Sequence, residues 1–373
     1  MSGEPLIIVV DDEDQAPLVM ELEKLGQRAT YRHPRDIGSE DLSEATLFLI
    51  DEYLEDWHER DKLAVVPAQD VRDGLALSSI LRARLDHRGQ RDTPGEPART
   101  AIALRTGDLD KLAAGTPRAL RATSVAAGHD LEWVFEKHHS SASQFALLAA
   151  AVASLPTTWD PQDPTPQSKW LALDTSQTWA DRALVQIERC RPPWSRLASA
   201  NAGRPWLAWF LQRILPFSTF LIDDARAAAL LGVTARSFTT ACDANDALGE
   251  LAYSGQLHGF AGRRWWRAGI QALRAQLSAE HDAATSCDRA RTMSTWLGST
   301  LDPLSFEDPV FVIDEDYLVD AIPISARSAV RLQPDGWPAY ADEPWLSIED
   351  AEDEASLSSL IITDDRDYVG ADD

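Results

Sequence analysis

The sequence predicts an α/β domain with a doubly wound parallel sheet, followed by a mainly α-helical domain and an acidic C-terminal extension. Short apolar runs alternate with segments of helical spacing over the first 155 residues, which is typical of a parallel sheet covered by helices. The middle of the chain is rich in Ala, Leu, Arg and Trp, whereas the end is strongly acidic. At 373 residues the chain is too long for one ordinary core, so several units are expected.

Four apolar runs have the length and composition of strands that are buried on both faces. They span residues 6–10, 47–50, 100–104 and 131–135. Regularly spaced leucines and alanines predict helices over residues 16–25, 74–85 and 142–155, the first of them capped by Gly26. Two polar stretches, 55–72 and 86–99, have the composition of insertions between these elements.

A Pro-rich break, PTTWDPQDPTPQS, is the best predicted boundary between domains and covers residues 156–168. We therefore expect a first domain over 1–155, a helical domain over 169–300 and an acidic extension over 301–373. The extension carries 20 acidic residues and 3 arginines from residue 302 onward. Residues 182–291 instead carry 14 arginines, no lysine and 9 acidic residues, so the overall charge of −25 does not exclude an anionic partner.

The remaining bulk features predict a cytoplasmic protein without a membrane segment. No apolar run approaches the roughly 18 residues that would span a bilayer, and the N-terminus has no signal-peptide pattern. The 3 cysteines are widely spaced and form no CxxC pair, which favours a reducing compartment.

Polar residues that can perform chemistry follow the predicted strands. In an open parallel sheet the carboxyl ends of the strands form one edge, so these side chains should converge there: Asp11, Asp12, Asp51, Thr106 and Lys137. Clustered carboxylates repel each other unless a cation is present, and hard oxygen ligands suit Mg²⁺. One carboxylate could then attack a phosphoryl group, with the lysine and the hydroxyl stabilising its oxygens.

Five segments resemble the receiver domains of two-component response regulators. They are IIVVDDE (7–13), LFLIDEY (47–53), DGLALSSILR (73–82), AIALRTG (101–107) and WVFEK (133–137). The resemblance covers about residues 5–155 and implies a flavodoxin-like fold. It does not extend to the rest of the chain.

The resemblance also implies a role for each matching residue. Asp51 would be the phosphoacceptor, and Lys137 the lysine that pairs with it. Mg²⁺ would be bound by the carboxylates at the site together with one backbone carbonyl, that is, by Asp11, Asp12, Asp51 and the carbonyl of Tyr53. Thr106 would supply the switch hydroxyl that contacts the phosphoryl group.

Three departures from the family pattern change the rim of this pocket. Leu54-Glu55 and an insertion stand where the family has Met-Pro, and His138 replaces a proline after the lysine. Arg105 precedes Thr106 where an apolar residue is common. A shift of the alignment by one residue would put Arg105 in the switch position.

In the helical domain, residues 222–241 match the skeleton of a helix-turn-helix. Ala228, Gly232 and Phe238 have its small–glycine–apolar spacing, and Thr234 would cap the second helix, which would expose Arg236. The turn residues that follow are compatible with a winged variant.

The most basic aromatic cluster of the chain, RRWWR, follows this segment and contains Arg263, Arg264 and Arg267. These arginines would contact DNA phosphates or a protein partner, or they would cover the outside of a helical core that contains the tryptophans. The acidic extension has three interpretations: solvated and partly disordered, folded back over the basic domain, or docked on a basic partner.

We therefore expect a bacterial signalling protein of the response-regulator kind, and not an enzyme. Asp51 would take a phosphoryl group with Mg²⁺ and control the helical output domain. Its partner would be a histidine kinase or another protein, and a homodimer through the receiver domain is an open alternative. Two other functions stay open: a non-catalytic adaptor in a multi-protein assembly, and a DNA-binding transcription regulator.

Overall fold

The computed structural model describes residues 4–54, 73–91, 99–156, 159–197, 203–280 and 283–369. Five strands form a parallel sheet in the order β2-β1-β3-β4-β5. The strands are β1 (Leu6–Val10), β2 (Arg28–Arg32), β3 (Ala45–Asp51), β4 (Ala101–Thr106) and β5 (Trp133–Glu136). This is the strand order of a flavodoxin-like doubly wound fold, so the predicted fold class is confirmed.

Helices cover both faces of the sheet. They are α1 (Ala16–Lys24), α2 (Ser39–Glu44), α3 (Gly74–Arg91), α4 (Leu109–Leu112), α5 (Arg121–Gly128) and α6 (Ala142–Ala153). Alternate residues of each strand point to opposite faces. Val9 and Leu49 therefore pack with α1 and α6, whereas Ile8 and Ile50 pack with α3 and α5.

The edge strand β2 was not predicted. Its sequence, RATYR, lacks an apolar run because the strand has a neighbour on one side only and none of its residues is fully buried. The insertion at 55–72 lies outside the described residues, as does the part of the second insertion over 92–98.

Helices also dominate the middle of the chain. They are α7 (Thr165–Trp170), α8 (Ala180–Cys190), α9 (Trp194–Leu197), α10 (Arg204–Trp209), α11 (Asp224–Leu231), α12 (Ala235–Ala244), α13 (Arg267–Glu280) and α14 (Ser286–Leu297). A π-helical turn, Phe210–Ile214, continues α10. Two short strands, β6 (Leu221–Ile222) and β7 (Trp265–Trp266), pair antiparallel on either side of the α11–α12 pair.

The two predicted domains share one hydrophobic core. Phe145 and Val152 of α6 belong to the same buried cluster as Trp206 and Phe210 of the helical part. Trp159, within the predicted linker, is buried, with its ring centroid 5.2 Å from that of Trp206. The Pro-rich stretch at 156–168 therefore does not separate two cores.

The acidic extension is folded over residues 301–369. Its elements are β8 (Pro309–Val310), β9 (Ile324–Ser325), β10 (Ala329–Arg331), β11 (Trp345–Ser347), α15 (Ile348–Asp353) and α16 (Ala355–Ser358). They enclose a small core that includes Val330 and Leu346.

The extension also packs against the basic helical part. Asp342 lies 2.6 Å from Arg267, and Glu307 lies 2.7 Å from Arg289. Of the three interpretations of this segment, the structure favours folding back over the basic domain. No helix in the described ranges is long and apolar enough to cross a membrane.

Candidate functional site

The site lies at the carboxyl edge of the five-stranded sheet. Asp51 ends β3, while Asp11 and Lys137 directly follow β1 and β5. The backbone N–H groups of Asp11 and Lys137 still donate to carbonyls of neighbouring strands, so both residues continue the sheet. Each lies two positions after a strand residue on the α1–α6 face, which brings the three side chains to the same face.

Asp51 and Lys137 form an ion pair, with the lysine Nζ 2.5 Å from Asp51 Oδ1. The other carboxylate oxygen of Asp51 accepts the backbone N–H of Tyr53 at 3.1 Å. Asp51 is only 3% exposed, whereas the side chain of Lys137 is 34% exposed. The predicted neighbours therefore lie together, with the carboxylate of Asp51 buried and the lysine partly exposed to solvent.

The buried carboxyl of Asp11 is harder to ionise than that of an ordinary aspartate, although Lys137 is close enough to favour its charged form. Its Oδ1 accepts the N–H of Glu13 at 3.0 Å, and the residue is 3% exposed. The pKa of Asp11 is raised to about 7, mainly by burial and also by the charges of Asp51 and Asp12, while that hydrogen bond and Lys137 oppose the rise. A bound cation would favour the ionised form of Asp11 and so offset this rise.

The metal-ligand set is less compact than the sequence predicts. Within the described ranges, no three Asp, Glu, His or Cys side chains come close enough together to hold a metal ion. Asp11, Asp12 and Asp51 thus do not form a closed cage. Mg²⁺ commonly takes only one or two carboxylates and keeps several waters, so Asp11 and Asp51 still fit it. The role of the Tyr53 carbonyl stays a prediction.

Thr106 does not lie where the resemblance places it. Its hydroxyl donates to the carboxylate of Glu52 and accepts the N–H of Asp108 at 3.0 Å. Asp51 and Arg105 are paired in the β3–β4 register. Glu52 follows Asp51 by one position, and Thr106 follows Arg105 by one position. Strand alternation therefore directs them to the α3–α5 face, away from Asp51.

Arg105 instead shares the face of Asp51, as the shifted alignment predicts. Its guanidinium lies 5.9 Å from the ring centroid of Phe145 and 3.4 Å from Gln15 Oε1. Burial lowers the pKa of Arg105, while the charges of Asp51 and Asp11 oppose that shift. Arg105 is thus a second cation of the site.

Sequence reasoning missed Glu52, which directly follows the predicted phosphoacceptor. Burial raises the pKa of Glu52, and the hydrogen bond from Thr106 opposes this rise. An acid beside the acid that ends a buried strand was the available signal. The register of β3 against β4 was needed to show that Glu52 points to the α3–α5 face, opposite to Asp51.

The arginines predicted to contact DNA are mostly engaged within the chain. Arg263 bonds Asp224 and Asp243, Arg264 donates to the carbonyl of Leu215, and Arg267 pairs with Asp342. Arg236 on α12 is exposed. The tryptophans of the cluster are buried, so the structure favours the interpretation of this cluster as the covering of a helical core.

The predicted helix pair itself is present, with its turn and cap. Gly232 adopts φ +79° between α11 and α12, and the hydroxyl of Thr234 accepts the N–H of Ser237 at 3.4 Å. The strand β7 also pairs with Ala252. This leaves residues 254–263 as a loop between two paired segments, which we call the wing loop.

The wing loop contacts the sheet domain, a feature that no sequence pattern indicated. The ring of Phe260 lies 5.8 Å from that of Trp133 and 5.9 Å from that of Phe135. Gln144 Nε2 donates to the carbonyl of Phe260 at 3.0 Å. Phe135 also packs edge-on against Phe145, 4.7 Å between centroids, so these rings connect Arg105 to the wing loop.

The chain is similar in structure to a response regulator receiver domain protein from Clostridium thermocellum. The two are 15% identical, the match covers 40% of this chain and 94% of that one, and the TM-score is 0.27. No protein-family model matches the chain, and the comparison with curated proteins gave no match.

Proposed function

We propose that this protein is a phosphoryl-accepting signalling protein in which Asp51 takes the phosphoryl group and the helical part is the output. The observation that carries the proposal is the buried carboxylate of Asp51, 2.5 Å from Lys137 and on the same face as Asp11. A nucleophile, a cation and a second acid at one sheet edge suit phosphoryl transfer.

In the proposed reaction a carboxylate oxygen of Asp51 attacks the phosphorus of the donor. An O–P bond to Asp51 forms, the bond from phosphorus to the donor breaks, and its electron pair leaves with the donor. The product is an acyl phosphate. The donor is a phosphohistidine of a partner kinase or a small phosphoryl compound.

Each neighbour of Asp51 has a distinct part in this proposal. Lys137 and Arg105 would balance the charge of the transferred phosphoryl oxygens. Asp11 and Asp51 would hold Mg²⁺, which supplies further charge neutralisation when bound. In this proposal Arg105 takes the place of the switch hydroxyl, which the resemblance assigned to Thr106.

The ring contacts support a connection from this site to the helical part. The acyl phosphate would carry roughly −1.5 to −2 charges where the carboxylate of Asp51 carried −1, and it would place them farther out. This charge would draw the guanidinium of Arg105 away from Phe145. Because Phe145 packs on Phe135, and Phe135 on Phe260, the wing loop would respond.

The direct test is the intact mass of the protein after incubation with acetyl phosphate and Mg²⁺. We expect the wild type to gain the mass of one phosphoryl group and Asp51→Asn to gain none. Asp41→Asn is the matched control, because Asp41 is also buried and ion-paired but lies outside the site. Equal labelling of the wild type and Asp51→Asn would contradict the assignment of the acceptor.

A non-catalytic adaptor is the second candidate, and one observation favours it. The hydroxyl of Thr106 is bonded to Glu52, and Arg105 occupies the face beside Asp51. In this second candidate the pocket would serve as a docking surface and would not accept a phosphoryl group. An unlabelled wild type, under conditions that label an ordinary receiver domain, would favour the adaptor over the phosphoacceptor.

A further inference from the structure

A cavity of about 230 Å³ lies where the three parts of the chain meet, and its described lining residues are other than those of the proposed phosphoryl site. Ala119 of the sheet domain reaches its edge. The helical part and the acidic extension supply most of its walls, which include Phe217, Arg226, Arg264, Tyr317, Val319 and Trp337. All of these residues lie in the described ranges.

Among the charged residues that line this cavity, two arginines stand against one carboxylate: Arg226, Arg264 and Asp223. Arg226 lies 2.6 Å from Asp223, and Arg264 lies 3.9 Å from the same carboxylate. Asp342 is taken up by Arg267 at 2.6 Å and is 3.8 Å from Arg226. In the lining itself Arg226 and Arg264 thus share the single carboxylate of Asp223. Asp342 and Asp224 are their further counter-charges outside it.

Arg264 also has an unmet hydrogen-bond donor. Its Nη2 donates to the carbonyl of Leu215 at 2.7 Å, but its buried Nε–H has no hydrogen-bond partner among the described residues. Burial lowers the pKa of Arg264, with the charge of Asp223 opposing. A buried, unsatisfied donor on a cation is costly, and an anion beside it would remove that cost.

Apart from Ser218, the other residues that line the cavity are apolar or aromatic. Phe217 and Trp337 pack edge-on with 5.0 Å between their centroids, and Leu318 and Val319 lie alongside Tyr317. Drug-sized ligand sites are usually about 300–1,000 Å³, so this cavity fits a smaller compound. Its lining suits a planar or apolar body that ends in one anionic group.

We propose that this cavity binds a small organic carboxylate with a planar apolar body. The forked guanidinium groups match a carboxylate, and the ring walls match the body. This inference goes beyond the phosphoryl site and does not depend on it. Because the walls come from both the helical part and the extension, the bound compound would hold those two parts together.

Thermal unfolding and calorimetric titration with benzoate, phenylacetate and butyrate test the proposal. We expect a saturable rise in Tm with the aromatic carboxylates and none with benzamide, which is the neutral counterpart of benzoate. Inorganic phosphate probes a bare anion and should have no comparable effect. Arg226→Gln should weaken benzoate binding roughly tenfold or more, because it removes a charge-assisted hydrogen bond.

Val319→Phe separates filling of the cavity from removal of charge. It should abolish binding while the arginines stay in place, and the exposed Arg236→Gln is the control that should bind as the wild type does. Three results would overturn the proposal: no saturable effect of any carboxylate, equal effects of benzoate and benzamide or phosphate, or unchanged binding by a folded Val319→Phe variant.

Discussion

Two buried carboxylates beside one lysine give the site an unusual response to pH. The folded-state pKa of Asp11, about 7, lies above its ordinary value of 3.8. Between these values the folded protein keeps a proton that the unfolded chain has lost. The stability that this proton contributes is therefore complete below about pH 4 and is lost as the pH rises through about 7.

Asp11→Asn isolates this contribution. The free energy of unfolding of the wild type, minus that of the variant, should fall from about pH 4 to about pH 7 and then level off. Mg²⁺ should stabilise the wild type increasingly above about pH 7, where Asp11 is ionised. Denaturant unfolding over a pH series, with and without Mg²⁺, measures both. A difference that does not vary with pH would show that Asp11 is not perturbed.

Another buried acid, Glu132, links the two predicted domains through hydrogen bonds to an arginine of each. It accepts from Arg82 at 2.6 Å, from Arg204 at 3.0 Å and from the backbone N–H of Ile102 at 2.6 Å. Burial opposes its ionisation, but the charges of Arg82 and Arg204 outweigh that effect and lower its pKa. Its contribution to stability is thus lost as the pH falls through the folded-state pKa.

Glu132→Gln should cost about 3–5 kcal/mol of stability, because it leaves two buried guanidinium groups with too little counter-charge. Glu44→Gln is the control: Glu44 pairs with Arg28 on the surface, and its loss should cost less than about 1 kcal/mol. Urea unfolding of the two variants measures the contrast. Similar small costs would mean that the buried network is not a major source of stability.

At the residue scale, the sequence predicted the acids and the lysine but not their neighbours. Asp51 and Lys137 could be found because each ends an apolar run whose direction is clear. The exchange of Thr106 for Arg105 stayed one of two alternatives, because a shift of one residue in register reverses the face and the sequence does not fix the register. The bonds of Glu132 join positions 50 and 72 residues apart, which no local pattern reveals.

At the scale of elements, Gly232 sets the geometry of the α11–α12 turn. Its φ is +79°, and a Cβ there would lie 2.7 Å from Arg289 Nη2 and 2.7 Å from Ser286 Oγ. Gly232→Ala should therefore cost at least about 1 kcal/mol. Gly128→Ala is the control, since Gly128 has open space around it and an ordinary φ. Equal stability of the two variants would contradict the strain at the turn.

The wing loop is the second element whose contact can be tested. Phe260 is 5% exposed and packs on Trp133 and Phe135. Phe260→Ala should cost about 3–5 kcal/mol of stability. Met20→Ala, at a side chain that is 56% exposed, should cost much less. If denaturant unfolding finds Phe260→Ala as stable as the wild type, the loop is not seated on β5.

Among the strands of the five-stranded sheet, local patterns predicted those that are buried on both faces and missed the edge strand. The strands β1, β3, β4 and β5 are continuous apolar runs. The edge strand β2 and the seat of the wing loop depend on neighbours that are distant in the sequence. The helix pair α11–α12 could be predicted because its turn needs a glycine at one position.

For the whole molecule, the shared core predicts that the first 155 residues are not an independent unit. Trp170 Nε1 donates to the carbonyl of Ala151, and the helical part covers Phe145 and Val152. A chain of residues 1–155 should unfold less cooperatively than the full chain and bind the dye ANS, because it exposes that face. Cooperative unfolding of the fragment, without dye binding, would restore the predicted boundary.

Composition was a poor guide at this scale. The Pro-rich stretch at 156–168 looked like a linker, yet it carries a tryptophan into the core. The composition of the acidic extension left three interpretations open, disorder among them, and the arginines of the helical part give its carboxylates partners within the chain. Charge complementarity between distant segments is not visible in either segment alone.

The most direct measurement is hydrogen exchange of the wing loop, residues 254–263, with and without acetyl phosphate and Mg²⁺. We expect the exchange of these amides to change in the wild type and to stay constant in Asp51→Asn, because the phosphoryl group would act through Arg105 and the rings that end at Phe260. A wild type that is labelled at Asp51 but shows the same exchange in the wing loop would contradict the proposed connection between site and output.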